Sequence, residues 1–258
     1  MNELEQRMLN LLKDLKENNG AVGLKAAFED EGATFDEISR LKELADCTGL
    51  ELTVKLGGCS AVNDMYQAKE LRANSIAAPM VESPYSAKKF LNTAGKIFKN
   101  NTKFYINIET KYAINFINEI LNMDFTGIVF GRTDLACSLG LLSDDVNNNR
   151  ILEISREISL LTGKSGKEYI IGGGISALSV PFFKEQPYLT KFETRKVVFD
   201  AKTAINNHIE EGILKAVDFE LTWLKNNNEN YNRQSIENKQ RIEILKSRFN
   251  TITNINKI

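Results

Sequence analysis

The chain has 258 residues, enough for one α/β barrel or two modest domains with a sizeable buried core. Its 33 basic and 34 acidic residues leave a formal charge of -1, so no basic field announces nucleic acid or an anionic membrane, and a small soluble ligand becomes the default partner. The three cysteines, Cys47, Cys59 and Cys137, are far apart and offer no CxxC pair for zinc or a redox couple, and a reduced, cytoplasmic protein is the simplest reading.

The charged N-terminus leads into Met8, Leu9, Leu11, Leu12 and Leu15, which share one helix face and form neither a signal peptide nor a membrane span. From about residue 20 to residue 200, apolar runs of strand length alternate with helix-period segments, the pattern of parallel βαβ units. The expected strands are Ala21–Phe28, Glu51–Leu56, Ser75–Val81, Lys103–Glu109, Gly127–Gly131 and Glu168–Gly172, with one more near Tyr188–Phe199. Between them, helices are expected at Phe35–Thr48, Ala61–Ala73, Pro84–Lys99, Tyr112–Asn122 and Asp145–Leu161. Thr34 and Glu37 read as a capping box, Ser83 with Pro84 as an N-cap and first turn, and Val62, Met65 and Leu71 as one packed face.

Seven strands fall one short of a closed eight-stranded barrel, so one strand is irregular or the barrel is incomplete or modified. An open doubly wound sheet is the alternative, but no GxGxxG follows the first strand. The expected fold is a TIM-type (β/α) barrel over residues 1–205. Residues 206–258 form a helical extension, with an asparagine-rich break at Asn226–Asn230, a helix at Ile236–Phe249 carrying Ile242 and Leu245, and a fraying end. That extension packs on the barrel or in an oligomer, and a homo-oligomer is expected.

In such a barrel, functional groups gather where strands end. Those ends carry Lys25 with Glu29 and Glu31, Lys55 with Gly57 and Gly58, Glu82, Asn107 with Glu109, Arg132 with Asp134, Gly172, Gly173 and Gly174 with Ser176, and Glu193 with Arg195. A buried strand ending in a carboxylate is costly unless the group is paired or bound to a cation. Glu109 and Asp134 are two such ends, which points to a divalent site for Mg²⁺ or Mn²⁺ with waters and substrate oxygens filling the shell. Helix capping or pairing with Arg132 is the competing reading for both.

Lys25 and Lys55 are candidates for neutralising a substrate carboxylate or phosphate, or for a Schiff base, against a reading as ordinary ion-paired lysines. The glycine clusters can present N–H groups to an anion or simply permit tight turns. Glu29 or Glu31 is a candidate acid or base, or a decoration of the following helix. The single histidine, His208, lies beyond the last strand and reads as a surface residue, which excludes histidine triads and multi-histidine zinc sites.

Ala78-Pro-Met-Val-Glu82, Asn107-Ile-Glu-Thr110 and Val129-Phe-Gly-Arg-Thr-Asp-Leu-Ala-Cys-Ser-Leu-Gly140 resemble, in order and spacing, the HpcH/HpaI aldolase and citrate lyase β-subunit family. The resemblance is good from about residue 50 to 140 and weaker to about 200. It implies a phosphoenolpyruvate/pyruvate-type barrel that cleaves or forms carbon–carbon bonds beside a keto acid or acyl thioester. It also implies that Glu109 and Asp134 hold the metal. The family's substrate-binding arginine falls at Lys55, and its early histidine is replaced by Phe28-Glu-Asp-Glu-Gly32.

The expectation is a metal-dependent lyase or aldolase on a small anionic oxo acid. Lys55, Glu31 and Arg132 would be catalytic, and Lys25, Gly57, Gly58, Asn107, Gly173, Gly174, Ser176 and Arg195 would bind substrate. A barrel enzyme on a phosphorylated sugar or sugar acid, and a catalytically silent binding or assembly subunit, are the alternatives.

Overall fold

The computed structural model describes residues 2–98, 101–231 and 241–247. Eight strands close into one barrel in chain order: β1 (Ala21–Ala27), β2 (Glu51–Lys55), β3 (Ser75–Ala78), β4 (Lys103–Ile108), β5 (Gly127–Gly131), β6 (Glu168–Gly172), β7 (Leu189–Glu193) and β8 (Val197–Asp200). The pairings from β1 through β7 are parallel, whereas β8 runs antiparallel to both β7 and β1.

The eighth strand was therefore hidden inside the stretch read as one strand near Tyr188–Phe199. An antiparallel return needs no crossover helix. The turn between β7 and β8 holds no glycine or proline. Thr194 closes it, its Oγ1 accepting the Val197 N–H at 3.0 Å while its own N–H donates to the Val197 carbonyl at 2.9 Å.

Outward strand residues such as Leu24, Leu52, Val54, Ile76, Ile106, Ile128, Phe130, Ile171 and Phe199 join the helices in one large core. Inward residues alternate with them, and Ala77, Tyr105, Val129 and Ile170 make a small second cluster inside the barrel. Burial on both faces explains the continuous apolar runs.

The outer layer begins with α1 (Glu3–Asn19), α2 (Phe35–Thr48), α3 (Val62–Glu70) and α4 (Pro84–Ile97). The capping boxes at Thr34 and Ser83 form as expected. Met65 and Leu71 are buried, but Val62, expected on the same face, is exposed at the opening of α3. Lys99, the expected end of the fourth helix, lies outside the described residues.

The helix expected at Tyr112–Asn122 divides at Phe116 into α5 (Lys111–Asn115) and α6 (Ile117–Leu121). After β5 a helix not expected from the sequence, α7 (Arg132–Ser138), starts at once, and α8 (Asn149–Lys164) follows with Asn148 as its N-cap. Short α9 (Val180–Lys184) and α10 (Ala201–Asn206) lead to α11 (Ile209–Tyr231).

Helix α11 continues through the asparagine cluster that reads as a break. Its buried Asn226 Oδ1 accepts from Asn2 Nδ2 at 2.8 Å and its buried Asn227 Nδ2 donates to Glu37 Oε1 at 3.3 Å, so tertiary partners offset the poor helix propensity. It packs along α1, with Arg7 to Asp218 at 2.8 Å and Lys215 to Asp14 at 2.6 Å. Residues 241–247 are helical, while the remainder of the expected Ile236–Phe249 helix, including Phe249, and the expected fraying end lie outside the described residues. Among the described residues no helix is long and apolar enough to cross a membrane. All three cysteines are free.

Candidate active site

Strand alternation brings Lys25, Lys55, Asn107, Gly131, Gly172 and Glu193 to the C-terminal rim facing inward. With the following loops they line a cavity of about 290 Å³. Glu109 follows β4 directly and is only 2% exposed. Its Oε1 accepts the Met80 N–H at 2.9 Å, and its Oε2 accepts from Asn107 Nδ2 at 3.0 Å.

Met80 reaches Glu109 from a backbone held at φ +50°, a costly conformation for a non-glycine residue that follows Pro79. Gly131 ends β5 because a Cβ there would fall 2.6 Å from Glu109 Oε2. The carboxylate thus has a fitted berth.

Asp134 sits in the first turn of α7, half-buried and lining the same cavity. Burial pushes its carboxyl above the usual range. Lys55 pulls it down while Glu29 and Asp30 push it further up. Glu109 is likewise raised by burial, against the pull of Lys55 and the Met80 N–H.

The cations of this wall each have a closer partner. Lys25 meets Glu193 at 2.6 Å, Lys55 meets Glu29 at 2.7 Å, and Arg241 meets Glu220 at 2.9 Å. Lys55 stands 3.9 Å from Glu109, and no ion pair to Asp134 is formed among the described residues. No group of three or more His, Cys, Asp or Glu side chains among the described residues is arranged to hold a metal. Two hard oxygen donors with surplus negative charge still fit the half-open shell of Mg²⁺ or Mn²⁺.

A raised carboxyl contributes stability fully below its ordinary value and loses that contribution as pH rises through the raised one. Metal-free protein is therefore expected to melt a few degrees higher as Asp134→Asn than as wild type at about pH 7.5, the difference vanishing near about pH 3 where both side chains are neutral. Calorimetric melts in a chelator check this, and an unchanged or lower melting temperature at neutral pH would contradict it.

Burial pulls both lysines down, but Glu193 for Lys25, and Glu109, Asp30 and Glu29 for Lys55, hold them above their ordinary value. Both stay protonated, which disfavours the Schiff-base option. Glu29 and Asp30 line the cavity beside Lys55, whereas Glu31, the expected acid or base, is turned to Lys196 at 2.5 Å and lies outside it. Arg195 lines the wall, its Nη2 donating to the Asp30 carbonyl at 2.9 Å.

Arg132, also expected to be catalytic, is completely buried and points away from the cavity. It donates to the Gly173 carbonyl at 2.8 Å, Asn147 Oδ1 at 2.8 Å and Ser179 Oγ at 3.1 Å, and lies 4.8 Å over the Phe182 ring. Burial draws its pKa down to about 9. It fixes the loop after β6 and touches no lining space.

Gly57 and Gly58 do not line the cavity either. The Gly57 N–H is engaged by Asp64 Oδ2 at 2.7 Å, inside the β2–α3 connection. Glu82 is exposed outside the cavity, and His208 is exposed as expected.

Gly173, Gly174 and Ser176 do line it. Gly173 has φ +82°, and a Cβ there would meet the Thr133 nitrogen at 2.7 Å. The Ser176 N–H is taken by Ser179 Oγ at 3.3 Å, so this loop presents fewer donors to an anion than its glycines promise.

Residues that sequence reasoning did not single out also line the cavity, among them Asp30, Thr133 and Asp144, and from the C-terminal part Leu214, Val217, Glu220 and Arg241. Ile213, Leu214 and Val217 read only as apolar positions of the helical extension. Nothing local showed that this helix, packed along α1, also borders the cavity.

A closed α/β barrel with carboxylates gathered at its C-terminal rim defines the class of molecule. No protein-family model matches the chain, and no curated protein matches it in sequence. Solved structures match its fold. An HpcH/HpaI aldolase/citrate lyase family protein from Burkholderia cenocepacia has a TM-score of 0.60 and 14% identity, covering 84% of this chain and 100% of that one. An HpcH/HpaI aldolase from Desulfitobacterium hafniense has a TM-score of 0.57 and 16% identity over 78% and 94% of the two chains. The citrate synthase SbnG has a TM-score of 0.57 and 14% identity over 81% and 98%. The chain has the TIM-type barrel fold of these proteins.

Proposed function

We propose that the chain is a divergent relative of the HpcH/HpaI aldolases and citrate lyases. In this reading it is a divalent-metal-dependent carbon–carbon lyase or aldolase acting on a small anionic oxo acid. The observation that carries this reading is the pair Glu109 and Asp134, raised by burial in one rim cavity whose nearby cations have closer partners. Mg²⁺ or Mn²⁺ held by these two carboxylates would polarise the substrate carbonyl and stabilise an enolate.

The chain's own groups do the rest. Asn107 and the Met80 N–H orient Glu109. Protonated Lys55 draws the substrate carboxylate or enolate oxygen toward the rim, as a point charge where arginine would offer a fork. Glu29, bonded to Lys55 and lining the cavity, takes the hydroxyl proton when the carbon–carbon bond opens. Arg132 holds the Gly173 loop against α7.

The fold likeness to aldolase and citrate synthase structures supports this reading. The engaged Ser176 N–H weighs against the phosphorylated-sugar alternative. Proton magnetic resonance of pyruvate in deuterated buffer tests the proposal. Protein loaded with Mn²⁺ or Mg²⁺ is expected to exchange the methyl protons, and Glu109→Gln is not. Absence of both exchange and oxo-acid binding would favour the silent binding or assembly role.

A further inference from the structure

A second cavity, of about 100 Å³, lies outside the barrel wall between the end of β1, α2 and α11. It backs onto the rim cavity, with which it shares Asp30, Arg195, Glu220 and Arg241. Its mouth is polar, with Asp30 exposed and Glu37, Arg195 and Arg241 partly exposed. Ile38, Leu41 and Trp223 border it as outer-core side chains with almost no accessible surface, so polar atoms set its chemistry.

Two of those atoms have no hydrogen-bond donor among the described residues: Asn227 Oδ1 and Glu31 Oε1. Asn227 is 4% exposed and the Glu31 side chain 7%. The amide cannot be turned to hide its oxygen, because its Nδ2 donates to Glu37 Oε1 at 3.3 Å and a flip would set acceptor against acceptor. Glu31 is held by its other oxygen, which accepts from Lys196 Nζ at 2.5 Å. Arg195 Nε stands 3.6 Å from Oε1, beyond hydrogen-bond reach. Buried acceptors are normally satisfied, so two that border one cavity call for a donor from outside the chain.

The same atoms restrict what can enter. A carboxylate or phosphate brings only acceptors, and the nearby cations Lys196, Arg195 and Arg241 are already held by Glu31, the Asp30 carbonyl and Glu220. A cation would have to take Glu31 from Lys196. An uncharged molecule with two N–H or O–H donors meets both free oxygens and breaks no ion pair. The cavity is smaller than the roughly 150 Å³ that holds a benzene ring, and it admits about five non-hydrogen atoms.

We propose that this cavity is a binding site for a small uncharged donor molecule, of the primary amide or vicinal diol kind, held by Asn227 Oδ1 and Glu31 Oε1. It does not take the oxo acid of the rim cavity.

Titration of the isotope-labelled full chain followed by nuclear magnetic resonance tests it, with propanamide, propylene glycol, propanoate and propylammonium as probes of similar size. Propanamide or the glycol is expected to bind in the millimolar range and to shift the Asn227 side-chain amide signal. Both ions should bind about tenfold or more weakly, since each lacks a partner there or must break a pair. Asn227→Met removes an acceptor, and Ala33→Leu fills space in the cavity without touching a polar side chain. Each should weaken binding about fivefold or more, the size of one lost hydrogen bond. Asp134→Ala should bind the probe as wild type does.

An ion that binds as tightly as the uncharged probes overturns the proposal, as does unchanged binding by Asn227→Met and Ala33→Leu. Should Asn227→Met fail to fold, Ala33→Leu decides alone. Loss of binding in Asp134→Ala would move the ligand to the rim cavity, and no binding by wild type in the millimolar range would leave the cavity to ordered water. Either result ends the proposal. Failure of the Mn²⁺ or pyruvate experiments leaves it standing, since neither free oxygen takes part in that chemistry.

Discussion

Arg132→Met is expected to destabilise the fold by about 3–5 kcal/mol, the sum of several buried acceptors losing their donor at about 1–3 kcal/mol each. The Gly172 and Gly173 carbonyls and Ser179 Oγ accept from this one guanidinium, and Phe182 and Phe183 pack against it. Methionine keeps the apolar contact and makes none of the bonds. Lysine would not rescue the variant, because a single ammonium cannot reach acceptors spread over the fork. Denaturant unfolding followed by circular dichroism gives the magnitude. A loss below about 1 kcal/mol, the size expected of a surface change, would mean that Arg132 does not hold the loop after β6.

Lys55→Met is expected to reduce any oxo-acid turnover on the order of 10²–10³-fold, the size seen when a group stabilising developing charge is removed. The same variant should bind Mn²⁺ at least as tightly as wild type, since the ammonium 3.9 Å from Glu109 repels a second cation beside that carboxylate. Metal affinity and turnover therefore move in opposite directions. If both fall together, Lys55 acts by holding the site in shape. Lys55→Arg adds a further reading, because recovered turnover would show that the position serves the substrate through its charge.

Most of the barrel was legible because parallel strands buried on both faces carry unbroken apolar runs, as in Gly127–Gly131. The last two strands were not, because Thr194 turns the chain with its own hydroxyl and leaves no glycine or proline as a signal. The same holds for α11. Asparagines 226 and 227 read as a break, and only their distant partners Asn2 and Glu37 show why the helix continues.

At the site, Glu109, Asp134, Lys25, Lys55 and Asn107 were found because each ends or closely follows an apolar strand and so comes to one rim. Glu31 and Arg132 were placed there by the same rule, yet they turn away. Glu31 is drawn by Lys196, and Arg132 by carbonyls of the next loop. Strand position predicts which residues arrive at the rim. The competition among neighbouring partners decides which of them face the cavity, and those partners come from distant parts of the chain. Arg241 illustrates the extreme case, contributed from a segment more than a hundred residues beyond the metal-binding candidates.

The pairing of Glu109 with Asp134 as holders of one divalent cation is tested most directly by titrating Mn²⁺ into the chelator-treated full chain and into Asp134→Ala, with the free ion followed by electron paramagnetic resonance. One bound ion per wild-type chain, lost or weakened by about a hundredfold in Asp134→Ala, is the result expected for removal of one of two charged ligands. Equal binding by wild type and variant, or binding by neither, would contradict the assignment.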